Sequence, residues 1–203
     1  MDTVPHASYV AESMEESITK HSMVRINRIL FAGIVAATLG VAVAGAADLP
    51  LGNGKQFAFD LPPDARIQIR KPPIPSLPAS ARISSGSAAV MLTPIRYDQQ
   101  RLKTRVDLDR MLKLMTRKYV AGSVEQTLKI RRIKDKESAY GSFTDASLIG
   151  KPDTPGNWKC VTTGMLKRDT YLISFSLFTH SLDQKRLDPF LKVLEGGRFV
   201  NRL

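Results

Sequence analysis

Cys160 and His180 are the two residues of this 203-residue chain that a nucleophile–base pair would need. A thiol within hydrogen-bond reach of an imidazole is the start of thiol-dependent acyl transfer. Cys160 falls in the strand-like run 158–167, and His180 closes the next one, 170–179. A hairpin turning near Arg168 would set the two almost opposite each other. No orienting Asn or Asp and no oxyanion loop accompanies them, and a free Cys is often just a small buried hydrophobe. No residue is therefore assigned a catalytic role, and the chain is read as a non-enzyme.

Metal and cofactor chemistry fare no better. The chain has one Cys and three His, and His6 and His21 precede the export segment described below. An intrachain disulfide and a Cys-rich zinc site are excluded. Asp145, Asp153, Asp183 and Asp188 lack the dense Asp/Asn/Gly spacing of a calcium loop and read as solvated carboxylates. Phosphate-loop, dinucleotide, nucleophile-elbow and H-E-x-x-H patterns are missing from the sequence. No metal and no cofactor is expected.

The basic residues say more. Positions 101–136 hold twelve Lys or Arg against four Asp or Glu. Arg110, Lys113, Arg117 and Lys118 occupy the off-stripe positions of a predicted helix, and Lys129, Arg131 and Arg132 follow closely. A charged helix face is ordinarily only solvated. The alternative is a surface for an anionic partner, because the excess is local. Those seven residues are the candidate binding set. Anionic lipid, an acidic wall polymer or an acidic protein would suit it. Nucleic acid is not expected, since a reader of bases also needs placed aromatics. Tyr97 and Tyr119 are the aromatics near this run, and Tyr119 belongs to an apolar stripe.

Residues 29–47 carry no charge, follow Arg25 and Arg28, and end in Ala44-Gly45-Ala46. Basic, apolar, then small is the layout of a secretory signal with an A-x-A cleavage site. A signal over 23–47 is the first reading, and an uncleaved transmembrane anchor is the alternative, since nineteen apolar residues just span a hydrocarbon core. Either would put the rest of the chain outside the cytoplasm, periplasmic or secreted in the first case and held at the inner membrane in the second. Residues 1–22 are a polar lead, or Met23 is the true start. Setting aside the three basic and four acidic residues of 1–47 leaves 27 against 15, a net charge of +12.

The rest of the sequence predicts the elements that would position these groups. Residues 48–80 form a Pro-rich lead-in with one short strand over 65–70. Eight of the twelve prolines fall between positions 50 and 94, which forces extended or turn segments there. A core domain spans 81–203. A strand is expected over 88–95, then a helix over 107–120 whose Leu108, Met111, Leu112, Met115 and Tyr119 share one face. Asp107 is its expected cap, and Gly122 lies just past its end. Four strand-like runs follow: 126–134, 138–148, 158–167 and 170–179. The first changes phase between Ile130 and Ile133, which predicts a bulge or an early end. Short connectors imply antiparallel pairing. Leu187, Phe190, Leu191 and Leu194 predict a second helix, with Asp188-Pro189 as its start.

Strands, helix, antiparallel meander and helix make an α+β domain, a sheet flanked by two main helices. In element order, export signal and the helix after a long aromatic strand, residues 56–200 resemble the PsbP-like fold. The resemblance implies an α/β/α sandwich and a small exported accessory protein of the bacterial cell envelope. It carries no motif, so no binding residue comes with it.

Overall fold

The computed structural model describes residues 45–201, apart from 73, 75, 76, 87, 98–103, 135, 155 and 169. The expected 1–22 lead and residues 23–44 of the expected export segment lie outside the described residues, as do Arg101 and Lys103. No helix among the described residues is long and apolar enough to cross a membrane.

The chain runs β1 (Ala46–Gly52), β2 (Lys55–Asp60), β3 (Arg66–Arg70), β4 (Ser80–Ser85), β5 (Ala88–Arg96), α1 (Arg105–Gly122), β6 (Ser138–Thr144), β7 (Cys160–Arg168), β8 (Tyr171–Thr179), α2 (Gln184–Gly196) and β9 (Arg198–Asn201). It is an α+β domain with two antiparallel sheets. The larger has the order β3-β4-β5-β8-β7-β6 and the smaller β1-β2-β9.

Period-two alternation sends Tyr171, Ile173, Phe175 and Leu177 of β8 to one face of the large sheet. The small sheet, through Leu49, Leu51 and Phe57, and α2, through Leu187, Phe190 and Leu194, share one core with that face. Gly164 of β7 lies in register between Tyr140 and Phe175. A Cβ there would come within 2.4 Å of the Ala139 carbonyl oxygen and of Tyr140 Cβ. Its absence lets the two flanking rings approach across the strand, centroids 6.3 Å apart. The Tyr171 hydroxyl donates to the Leu51 carbonyl at 3.3 Å and ties one sheet to the other.

α1 packs on the opposite face. Leu108 and Leu112 meet Ala139, Met165 and Leu172, and Tyr119 stacks on Phe143 with centroids 6.0 Å apart. The helix starts two residues before the expected position. Thr104, not Asp107, is the N-cap, and the Asp107 carboxylate accepts from the Thr104 N–H at 3.0 Å, completing a capping box.

Four further expectations are corrected. First, the lead-in contains a hairpin: β1 and β2 join through Asn53 and Gly54, with φ of 53° and 70°. Both central residues are left-handed, as the tight turn of a twisted hairpin requires. Second, 126–134 is no strand. Leu128 and Ile130 enter the cluster under α1 while Ile133 enters the other core, so only Arg131 pairs, with Tyr140. Third, α2 begins one turn earlier than Asp188. Asp183 caps it by accepting from the Lys185 N–H at 3.0 Å, and Pro189 lies inside the helix. Fourth, the face away from α1 is covered by a second sheet as well as by α2.

Candidate functional site: the basic face of α1 and the Cys160 corner

At 3.6 residues per turn, Arg110, Lys113, Arg117 and Lys118 fall within about 140° of arc on the side of α1 away from Leu108 and Leu112. All four are exposed. Among the described residues none of them makes an ion pair. The capping box holds the one carboxylate of that arc, Asp107, against Thr104.

Lys129 and Arg131 are also exposed. Arg131 is fixed by its backbone, which donates to and accepts from Tyr140 at 2.8 and 3.0 Å. Arg132 is different. It donates to Asp109 at 2.6 Å, with roughly a third of each side chain exposed. That ion pair joins the loop to α1 and neutralises one of the seven candidate cations. The set thus divides into four residues on one helix face, two exposed neighbours on the loop, and one already paired.

Two features of the face escaped the sequence reading. Leu114 is 71% exposed and Val106 64% exposed, on the same arc as the cations. Their signal was legible: two apolar residues at off-stripe positions of an otherwise charged helix side.

The Cys160 corner assembles differently from the expected pair. Register sets Cys160 opposite Thr144 on one side and Thr179 on the other. The thiol donates to Thr144 Oγ1 at 3.7 Å, and burial pushes its pKa above the ordinary thiol value. A protonated, enclosed thiol is a poor nucleophile. Glu125 closes the corner, its two oxygens accepting from the Thr144 N–H and hydroxyl, each at 2.8 Å. That carboxylate latches the exit of α1 to the end of edge strand β6.

His180, one residue past Thr179, takes other partners. Its ring lies against Trp158, centroids 4.9 Å apart. Its Nδ1 is buried without a hydrogen bond and stands 3.7 Å from Asp153 Oδ1. Lys159 donates to Asp153 at 2.6 Å, and that hydrogen bond holds the Asp153 carboxyl below the usual range. The remaining carboxylates also have local work: Asp145 accepts from the Ser147 N–H, Asp183 caps α2, and Asp188 accepts from Gln184. No group of three or more His, Cys, Asp or Glu able to hold a metal occurs among the described residues.

The chain matches no protein-family model and no curated protein. Among solved structures, a crystal structure from Bacteroides thetaiotaomicron is similar over 72% of this chain, with 8% identity and a TM-score of 0.41. The similarity spans 45% of that structure's own length.

Proposed function

We propose that this chain is an exported, non-enzymatic binding or accessory protein of the bacterial cell envelope, with a PsbP-like arrangement of its core. Its proposed partners are anionic, and the basic face of α1 is the surface that meets them. The observation that carries this reading is the exposure of Arg110, Lys113, Arg117 and Lys118 on one arc, with Lys129 and Arg131 exposed on the loop that Arg132 ties to α1. Cations left open to solvent on one side attract polyanions over about a Debye length, ~8 Å at physiological salt.

The test uses soluble polyglutamate and the full chain across a salt series. The unaltered protein should bind at low salt and release as salt rises. Combined Arg110→Glu, Lys113→Glu and Arg117→Glu should weaken binding more than about tenfold, because each cation at an anionic surface contributes about 1 kcal/mol. Since these positions lie off the packed stripe, the circular dichroism spectrum should not change. Equal binding by the two proteins would reduce the face to a solvated surface.

The start of β1 bears on both export readings: it opposes a cut after Ala46 or Ala47, and by taking residues 46–47 it leaves 29–45 for an anchor, two residues fewer than the nineteen that just span the core. The Leu61 N–H donates to the Gly45 carbonyl at 3.1 Å, Ala46 pairs with Asp60, and Ala47 is buried in the core. A cut after Ala46 or Ala47 would take residues out of β1. N-terminal sequencing of the envelope protein discriminates: a start at Ala47 or Asp48 means a cleaved signal.

The competing function, an envelope enzyme with an unrecognised site, would draw on the polar corner around Cys160 and His180. Turnover of an envelope substrate that vanishes in Cys160→Ala or His180→Ala would establish it over the binding reading.

A further inference from the structure

We infer that the partner of the α1 face is the headgroup surface of an anionic phospholipid bilayer, with Leu114 as the apolar insert. The inference rests on the anionic-surface reading above and adds the class of partner. Leu114 stands among Arg110 four residues before it, Arg117 three after and Lys118 four after, all on the outward arc of α1. It is the most exposed large apolar side chain among the described residues, and Val106 is next on the same helix. At an i, i+8 spacing the two lie about 80° apart, so one helix contact can bury both. Val124, just past the helix end, is also exposed.

Exposed apolar residues scattered singly need no account. Here they coincide with the cations, and the combination selects between partners. A soluble acidic polymer rewards only the charge, and an acidic protein would reward Leu114 only through an apolar pocket matched to it. A bilayer rewards both: the lysine and arginine heads meet phosphate while their stems and Leu114 enter the headgroup zone. Because α1 is held by its capping box and by Leu108 and Leu112, the face is preformed and needs no folding on contact.

The experiment reads insertion at position 114 itself, so any binding by residues 29–47 does not interfere. The full chain with Leu114→Trp is compared with the unaltered chain, in which Trp158 is the only indole. Each is mixed with phosphatidylglycerol–phosphatidylcholine vesicles, with phosphatidylcholine vesicles, and with soluble polyglutamate. The added indole should shift to shorter wavelength and be quenched by brominated lipid in the anionic vesicles alone. Leu114→Ser, which removes the insert and none of the cations, should leave polyglutamate binding unchanged. An indole that stays water-exposed while charge-dependent polyglutamate binding persists overturns the bilayer and leaves the anionic-surface reading standing. Loss of charge dependence in every arm overturns both. A shift with the neutral vesicles as strong as with the anionic ones overturns the role of the cations.

Discussion

The two faces of the six-stranded sheet are built to different depths. On one, β8 and its neighbours share a continuous core with the small sheet and α2, in which Phe57, Phe175 and Tyr171 are almost fully buried. On the other, the single helix α1 lies on β6 and β7 with five buried residues in its cluster. Beyond its reach, Arg66, Gln68 and Arg70 of β3 and Thr93 of β5 are exposed. The thick face can supply most of the stability, which frees the outer side of α1 to carry charge and unburied leucine.

Variants can break that division of labour. The largest effect belongs to Phe175→Ala. It removes a ring from the thick core and should cost about 3–5 kcal/mol in denaturant unfolding. Leu112→Ala, under α1, should cost about 2–3 kcal/mol, the low end for such a truncation, because the smaller cluster can close over the gap. Equal costs at the two positions would show that the faces are not different in depth.

A smaller effect should come from alkali. Burial raises the pKa of Tyr119, packed on Phe143, and that of the Cys160 thiol. Both are held neutral in the fold, so their contribution is intact below the ordinary values of 9.0 for Cys160 and 10.0 for Tyr119. It drains away as pH climbs from there through the raised folded values. The unfolding midpoint should fall in that range, and Tyr119→Phe should flatten the decline. An unchanged profile would mean that the phenol is not enclosed between α1 and β6.

The smallest effect concerns Arg132, the paired member of the seven candidate cations. Asp109→Ala should cost no more than about 1 kcal/mol, as expected of a partly exposed pair. It should strengthen polyanion binding slightly by releasing Arg132. Weaker binding would instead show that Asp109 holds the loop in its working position.

Much of this was legible in the chain. The apolar stripe of α1 fixed its buried side, and therefore the side on which Arg110, Lys113, Arg117 and Lys118 had to emerge. The alternation of 170–179 located β8, and the phase break after Ile130 marked a segment that serves two cores. The Asn53-Gly54 hairpin was also written in the sequence. Its first strand is hidden because Ala46 and Ala47 continue the apolar run that begins at Ile29.

Other features could not be read locally. Whether Asp183 or Asp188-Pro189 starts α2 depends on which start brings Leu187 onto the shared core, a choice made by packing rather than by propensity. The fate of Cys160 and His180 turned on a single residue of register: Cys160 pairs with Thr179, leaving His180 to Trp158 and Asp153. Sequence spacing cannot resolve one residue in a hairpin whose turn geometry is unknown, yet one residue reverses the face of every side chain.

Periodicity and charge by themselves determined the helices' inner and outer sides, the antiparallel meander and the basic excess, because each depends only on neighbours within a few positions. Only the tertiary structure decided that β1, β2 and β9 form a second sheet behind the first. It alone decided that Asp109 neutralises Arg132 across 23 positions, and that Leu114 stays uncovered. Those outcomes depend on which distant segments arrive at the same surface, and that is set by the burial of the whole chain rather than by any short stretch of it.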